Sequence, residues 1–280
     1  MFFKNKIKEI KQNILKINKT TQIYNYTIPI TQNHKIKNLK ILHLSDTHFS
    51  KLKNEKLKNK KLFNKLKKET FDIIIHTGDI IDNYLNEFSK ENRNHLKELK
   101  AKYGKFYVNG NHEYLNNEKK EIENLMKKLN FENISNKIKK ITLNNNKEKT
   151  NNNNKQINLI GIDPLSKENL NGLKINKNEF NILLTHNLDL IKKEKIPLFD
   201  FILSGHLHSG EINLGIISGI TFLKLKNQFK NKYNQIKKFK KLNQTTISFI
   251  HPGMHTHITT KFKLPRILTQ KEGAVIIKFK

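Results

Sequence analysis

The sequence predicts an α/β protein in which two stacked, mixed β-sheets are flanked by helices, an αββα sandwich. From residue 39 onward, three short apolar runs (KILHLSD, FDIIIHTGD and KFYVNGNHE) are followed by lysine-rich helical patterns at 52–68, 87–102 and 118–129. Repeated β–α units of this kind form a largely parallel sheet covered by helices. The second half of the chain is richer in strands, which predicts a second sheet stacked on the first.

The predicted strands of the second half are QINLIGID, FNILLTH, FDFILSGH, EINLGII, TISFIHPG and GAVIIKFK. Only residues 188–195 have an obvious helical pattern there. Two polar segments interrupt the strands, an asparagine-rich loop at 143–156 and a basic insertion at 224–244. The first has no core-forming residues, so we expect a surface loop. The second suits a solvated insertion, with a nucleic-acid or lipid contact as the alternative.

We predict a single domain at residues 39–280, preceded by a basic, amphipathic extension at residues 1–38. In the extension, apolar residues recur at helical spacing from Phe3 to Ile17. This pattern suits packing on the domain, or peripheral contact with an anionic membrane. No stretch has the length and apolarity of a membrane span or a signal peptide, so we expect a cytoplasmic protein.

The charge and residue composition limit the classes of molecule that we expect this protein to bind. The formal charge is +30, yet arginine occurs only at Arg93 and Arg266. Because arginine is preferred for bidentate recognition of phosphates and bases, we expect general attraction of anionic substrates and no sequence-specific binding of nucleic acid. The chain has no cysteine, so any metal must be bound by nitrogen and oxygen ligands. The oligomeric state does not follow from these observations.

Five predicted strands end in a burst of polar residues. These residues are Asp46 and His48; Gly78, Asp79 and Asp82; Gly110, Asn111, His112 and Glu113; His186; and Gly205, His206 and His208. Each group alone is typical of an ordinary turn or cap. Because the carboxyl ends of parallel strands lie at the same edge of a sheet, we expect the five groups to converge where α/β proteins bind ligands.

The order Asp-x-His, Gly-Asp, Gly-Asn-His-Glu, His and Gly-His-x-His resembles the calcineurin-like metallophosphoesterase family over roughly residues 39–210. The resemblance implies a dimetal-dependent phosphohydrolase that hydrolyses a phosphomonoester or phosphodiester through a hydroxide bridging two divalent ions. Cations about 3.5–4 Å apart need a carboxylate between them, and Asp79 is the implied bridge. The resemblance assigns one ion to Asp46, His48 and His208, and the other to Asn111, His186 and His206.

The resemblance implies a different role for His112, which is not a ligand but the general acid that protonates the leaving oxygen. Nearby, Asp82, Glu113 and Asn187 are expected either to support the ligands or to serve ordinary capping and turn roles. Three further histidines, His251, His255 and His257, match no family motif. We expect them in a surface loop, with a position that reaches the site as the alternative.

Several points stay open at this level. The final motif has Leu207, Ser209 and Gly210 where many relatives have Thr-Gly-Gly around the histidines, which predicts a changed substrate loop. His, Asp and Asn ligands suit manganese, zinc, iron or magnesium. The substrate is expected to be a small phosphorylated molecule, and the layout is similar to bacterial membrane-associated members that would suit a lipid-linked or cell-envelope substrate. The alternatives are a metal-dependent nuclease and a non-catalytic scaffold of the same fold.

Overall fold

The structure is a computed structural model of the 280-residue chain. It describes residues 22–28, 36, 38–50, 53–143, 155–165, 170, 172–206, 239–242, 246–254 and 273–280. Several predictions lie outside these residues: the amphipathic pattern from Phe3 to Ile17, the strand EINLGII, His208, His255 and His257, and most of the two polar segments.

The described chain contains fourteen strands and three α-helices. The strands are β1 (Gln22–Ile28), β2 (Lys40–Leu44), β3 (Thr70–Phe71), β4 (Ile73–His76), β5 (Lys100–Ala101), β6 (Lys105–Tyr107), β7 (Phe131–Asn133), β8 (Ile138–Leu143), β9 (Lys155–Ile162), β10 (Phe180–Thr185), β11 (Phe201–Ser204), β12 (Phe239–Lys241), β13 (Ile247–Ile250) and β14 (Gly273–Phe279). The helices are α1 (Lys53–Leu66), α2 (Lys90–Lys97) and α3 (Lys119–Lys128).

The first sheet has the order β1-β14-β2-β4-β6-β7. Its strands β2, β4, β6 and β7 are parallel neighbours, which confirms the prediction from the three β–α repeats. β14 runs antiparallel to β2 and lies inside this sheet, so the prediction that it belongs to the second sheet is wrong. β1 pairs with β14, which places part of the predicted 1–38 extension in the sheet. The domain boundary at residue 38 itself stays a prediction.

The second sheet has the order β12-β13-β11-β10-β9-β8. Strands β13, β11, β10 and β9 are parallel, and the two edge strands are antiparallel to their neighbours. The edge strand β12 falls within the predicted basic insertion, where Phe239 pairs with Phe249. At the other edge, Leu143 pairs with Lys155, so the asparagine-rich segment connects two antiparallel strands.

The predicted helix at 188–195 is wrong. The chain there forms two short 3-10 segments, Leu188–Leu190 and Lys193–Leu198, separated by Ile191 in an extended conformation. Ile191 is buried in the apolar cluster on the outer face of the second sheet, and Pro197 lacks the N–H that a continuous helix needs. The other predicted helices exist as α1, α2 and α3, although α2 begins only after Ser89, whose side chain accepts from the Asn92 N–H.

Three apolar clusters separate the layers. One lies between the two sheets, a second between the first sheet and its helices, and a third on the outer face of the second sheet. Central strands such as β4 are therefore buried on both faces, as their continuous apolar sequences predict. The stacked, mixed sheets of the predicted sandwich are confirmed. In the described part of the chain, 3-10 segments and loops cover the outer face of the second sheet, and no α-helix has the length and apolarity of a membrane span.

Candidate metal centre

Six of the seven predicted metal ligands lie together at the carboxyl ends of five strands. Asp46 and His48 follow β2, Asp79 follows β4, Asn111 follows β6, His186 follows β10 and His206 follows β11. Contacts join the two sheets at this point: the His206 N–H donates to Asp46 Oδ1 at 3.1 Å. The seventh predicted ligand, His208, is among the residues that the structure does not describe.

The backbone is left-handed at four of these positions. The φ angles are 50° at Asp46, 38° at His48, 53° at Asp79 and 65° at His206. The other non-glycine residues with positive φ in the described chain are all asparagines, which adopt this conformation more readily than most residues, as aspartate and histidine also do. Such strain costs on the order of 1–3 kcal/mol per residue and collects at functional sites, where the surrounding structure imposes a side-chain direction.

Two glycines let the ligand loops approach one another. A Cβ atom at Gly110 would overlap the Asp79 carboxylate, and one at Gly205 would overlap Ser45 Oγ and lie 2.5 Å from Asp46 Oδ2. Each glycine therefore makes room for a predicted ligand on the neighbouring loop. Any larger residue at either position would push the ligand loops apart.

Four nitrogen and oxygen atoms lie close together at His186. Its Nε2 lies 3.2 Å from Asp79 Oδ2, 3.1 Å from Asn111 Oδ1 and 3.2 Å from His206 Nδ1. The His186 Nδ1–H donates to the Thr77 carbonyl at 2.7 Å, which leaves Nε2 as the atom with the free lone pair. Atoms this close need either a hydrogen or a metal ion between them.

The spacing also fits a metal ion. Ligands about 2.1 Å from an ion are about 3.0 Å apart along an octahedral edge and about 3.4 Å apart along a tetrahedral edge. Without an ion, a proton must lie between these atoms. Burial alone would lower the pKa of His186, but the Asp79 carboxylate outweighs the effect of burial and raises the pKa to about 10. In return, although burial opposes ionisation of Asp79, His186 holds the pKa of Asp79 well below its usual value.

A second cluster shares Asp79 with the first. His48 Nε2 and His112 Nε2 lie 3.6 and 4.0 Å from Asp79 Oδ2, and ligand atoms of the three residues all lie within 4.8 Å of one another. The other ring nitrogen of His48 lies 3.6 Å from Asp82 Oδ1. Asp79 is thus the carboxylate common to both candidate clusters, which is the position that a bridging ligand requires. On distance alone, His112 also qualifies as a ligand of the second cluster.

A hydrogen-bond relay ends on Asp46. His43 Nε2 donates to Thr77 Oγ1 at 2.9 Å, Thr77 donates to Ser45 Oγ at 2.8 Å, and Ser45 donates to Asp46 Oδ2 at 2.5 Å. Burial lowers the pKa of His43 well below its usual value, so the imidazole stays neutral and keeps one donor. All donors in the relay point toward the carboxylate, which stabilises it as an anion.

The carboxylate of Glu113 connects the loop of Asp79 to that of Asn111. It accepts from the N–H groups of Asp79 at 2.9 Å, Ile80 at 2.7 Å and Gly110 at 2.6 Å. Burial and the nearby Asp79 charge raise the pKa of Glu113 to about 7. Glu113 therefore holds the loops after β4 and β6 together. The sequence left its role open between support of the ligands and turn formation.

The ring of His112 is held in one orientation. Its Nδ1–H donates to the Asp82 carbonyl at 2.5 Å, and its backbone N–H donates to Asp79 Oδ1 at 2.9 Å. The Nε2 atom is therefore the one that faces the metal centre. Asp82 contributes its carbonyl to this contact, whereas Asn187 caps the following 3-10 segment by accepting from the Asp189 N–H.

The expectation that His251 lies in a surface loop is wrong. His251 is fully buried: its Nε2–H donates to the His43 carbonyl at 3.1 Å, and its Nδ1 accepts from the Gly253 N–H at 2.9 Å. The next residues hold the Asp46 loop, since the Met254 N–H donates to the Asp46 carbonyl at 3.2 Å. The sequence HPGM signals a turn but not its partner, so this anchor became visible only in the folded chain.

Two similar proteins come from bacteria. The metallophosphoesterase YkoQ of Bacillus subtilis (strain 168) is 32% identical over 154 residues, which is 52% of this chain and 53% of that protein. The metallophosphoesterase Cj0846 of Campylobacter jejuni is 31% identical over 152 residues, which is 53% of this chain and 38% of that protein. The chain thus spans about half the length of these curated relatives, or less.

Two solved structures also resemble this one weakly. The NAD nucleotidase NadN of Haemophilus influenzae has 19% identity and a TM-score of 0.40, covering 61% of this chain and 43% of that one. The 5'-nucleotidase precursor of Thermus thermophilus has 16% identity and a TM-score of 0.38, covering 65% of this chain and 44% of that one. Likenesses of this size carry no argument about activity.

The family model described as calcineurin-like phosphoesterase matches residues 39–210. This range begins just before β2 and includes every predicted ligand from Asp46 to His208. Because the match covers more than half of the 280 residues, the chain belongs to the calcineurin-like phosphoesterase family.

Proposed function

We propose that this protein is a dimetal-dependent phosphohydrolase acting on a phosphomonoester or phosphodiester, with His112 as its general acid. The observation that carries the proposal is the position of Asp79, whose Oδ2 belongs to both candidate ligand clusters. One carboxylate between two sets of imidazoles is what a pair of nearby divalent ions needs. When bound, such ions lower the pKa of water and stabilise charge on the phosphoryl group.

The ligands that would hold the ions follow from the clusters. The set around His186 comprises Asp79, Asn111 and His206, and the set around His48 shares Asp79. The family resemblance adds Asp46 and His208 to the ion that His48 would bind. Nitrogen and oxygen donors of this kind suit manganese, zinc, iron or magnesium. The bound ion is a matter for elemental analysis.

The chemistry assigned to His112 is proton transfer to the leaving oxygen. Its Nδ1–H is committed to the Asp82 carbonyl, so Nε2 is the atom that would carry the transferred proton. The side chain is 17% exposed, whereas His48 beside it is fully buried. A partly exposed imidazole suits contact with a substrate better than permanent coordination.

His112 can be tested by comparing two leaving groups. General acid catalysis contributes about 10²–10⁴-fold, and most when the leaving oxygen is basic. His112→Asn should therefore slow hydrolysis of an alkyl phosphate by a factor in that range and slow a nitrophenyl ester much less, with both metal ions retained. The matched control is Asn111→Ala, which should lose metal as well as rate.

Two outcomes would contradict this assignment. Equal losses on both esters would reduce His112 to electrostatic stabilisation. Loss of metal in His112→Asn, measured by elemental analysis, would make His112 a ligand of the cluster that contains His48.

Two other functions stand as alternatives. A nuclease with the same core would use the many lysines as phosphate contacts, and would bind duplex DNA with steep salt dependence. A non-catalytic scaffold would not need the convergence of ligand atoms around Asp79. Turnover of small esters by metal-loaded protein, without cleavage of nucleic acid, would support the phosphohydrolase over both. A cytoplasmic location with peripheral membrane contact is part of the proposal and calls for cell fractionation.

A further inference from the structure

Three large apolar side chains are exposed beside the candidate metal centre. In the part of the chain that the structure describes, Tyr84 is 50% exposed, Leu115 40% and Leu165 58%, and these are its exposed large apolar residues. Tyr84 lies in the loop after β4, Leu115 in the loop after β6 and Leu165 in the loop after β9. All three therefore follow the carboxyl ends of parallel strands, at the edge where the predicted ligands lie.

Hydrogen bonds hold these three loops together. Asn116 Nδ2 donates to the Asn83 carbonyl at 2.9 Å, which joins the loop of Leu115 to that of Tyr84. The Tyr114 hydroxyl donates to the Asp163 carboxylate, which joins the loop of Leu115 to that of Leu165. The three residues therefore lie on connected loops, and we call this set, Tyr84, Leu115 and Leu165, the apolar rim.

The apolar rim lies on the side of the site that contains His112. Leu115 follows His112 by three residues, at the kink where the backbone leaves the 3-10 conformation. On the other loop, Tyr84 comes two residues after Asp82, whose carbonyl accepts from the His112 ring. If His112 protonates the leaving oxygen, the group attached to that oxygen would lie on this side of the site.

The ammonium group of Lys119, which lies beside these loops, is paired within the protein. Lys119, at the start of α3, donates to the Tyr114 hydroxyl at 2.9 Å and lies 3.8 Å from the Asp163 carboxylate. This ammonium is thus already committed to groups that join the loops. Ligand sites are commonly lined by apolar side chains with few polar groups that orient the ligand, and the rim beside the metal centre has that composition.

We infer that the apolar rim binds a hydrocarbon portion of the leaving group, so that the substrate is an amphiphilic phosphate ester. The inference rests on the proposed function and deepens it by naming the substrate class. The metal centre takes the phosphoryl group, and the net charge of +30 attracts the anion from solution. The rim then selects esters with an apolar chain over polar ones.

The test measures binding of n-alkylphosphonates, which carry the anionic group and the chain but have no ester bond to cleave. Dissociation constants of the methyl, butyl, hexyl and octyl compounds are measured by calorimetry on manganese-loaded protein, below the concentrations at which they form micelles. A fully buried methylene is worth about fourfold in affinity, and a half-buried one about twofold. Octylphosphonate should therefore bind on the order of tenfold more tightly than butylphosphonate.

Variants test whether the apolar rim causes the dependence of affinity on chain length. The double substitution Leu115→Ser and Leu165→Ser should remove most of the gain from butyl to octyl, whereas Leu115→Met with Leu165→Met should retain it. No dependence on chain length in the wild-type protein would overturn the inference. So would an unchanged dependence in the serine variant, or a shift in its oligomeric state by sedimentation in place of a change in affinity, because the rim would then be a contact between copies.

Measurements of phosphonate binding and of ester hydrolysis test the binding inference and the proposed function separately. A clear chain-length dependence without hydrolysis of any ester would contradict the proposed function and leave the binding inference standing. Hydrolysis of esters with equal affinity for all phosphonates would do the reverse.

Discussion

The two sheets contribute to the candidate metal centre in different ways. Loops of the first sheet supply both aspartates, His48 and Asn111. The Asp46 N–H donates to the Gly78 carbonyl, and the carboxylate of Glu113 joins the loop of Asp79 to that of Asn111. Side chains of the second sheet are imidazoles held by atoms of the first: the Thr77 carbonyl orients His186, and Asp46 accepts from the His206 N–H. The first sheet thus organises the charged half of the site, and the second completes it when the sheets pack.

The difference has an electrostatic reason. Buried carboxylates repel one another and need donors at fixed positions before they can lie close together. Imidazoles that bind a metal ion do so in the neutral form, so they do not repel one another in this way and can be added from a second layer. Substitutions in the first sheet should accordingly affect the whole centre, and substitutions in the second only part of it.

The largest expected effect is on metal content. Asp79→Asn should lose both ions because the carboxylate is common to both clusters, whereas His206→Ala should keep about one ion per chain. Elemental analysis after gel filtration measures both variants together. Two ions bound in Asp79→Asn, or none in His206→Ala, would remove the proposed difference between the sheets.

The next effect concerns Glu113. Glu113→Gln replaces an oxygen acceptor by an NH₂ group that cannot accept from the backbone N–H groups, so metal affinity should fall by about 10–100-fold. Asp163→Asn is the matched control, because Asp163 is also a buried carboxylate that accepts from Asn109 and Tyr114. That variant should lower the thermal midpoint with little change in metal affinity.

Metal titrations and thermal unfolding of both proteins measure these changes. Equal losses of metal affinity in the two variants would show that any buried carboxylate at this edge matters equally, and would contradict a special role for Glu113.

The smallest effect compares two threonines at corresponding strand ends. Thr77 lies in the relay to Asp46, whereas the Thr185 hydroxyl donates only locally, to the Asn187 carbonyl at 3.0 Å. Thr77→Val should weaken metal binding by about 10-fold, and Thr185→Val should cost about 1 kcal/mol of unfolding free energy without a change in metal affinity. Titration with manganese measures the metal affinity of both variants. If Thr77→Val and Thr185→Val bind manganese equally well, the relay has no influence on Asp46.

The parts of the fold that could be predicted are those with local causes. Alternation of apolar runs with helical patterns predicted the parallel strands β2, β4 and β6, because each β–α unit is built from neighbouring residues. The polar residues that follow those runs predicted which residues meet at this edge of the sheets. The helix expected at 188–195 failed because burial of Ile191 against the second sheet overrides the local helical pattern.

The parts that could not be predicted depend on contacts between distant segments. β14 has an ordinary strand pattern, and nothing in it specifies the position between β1 and β2. In the same way, the burial of His251 against His43 joins residues more than two hundred positions apart. A pattern of residue types states what an element can bury but not which partner buries it.

The sequence by itself determined the fold class, the family motifs and the identity of the candidate ligands, because strand ends and turn residues are written locally in it. The family resemblance implied Asp79 as the bridge, and the tertiary structure placed its carboxylate in both clusters. Only the tertiary structure decided that Glu113 joins two loops, and that the exposed Tyr84, Leu115 and Leu165 lie on connected loops. The physical reason is that these properties are distances between atoms of different strands, and packing of the two sheets sets those distances.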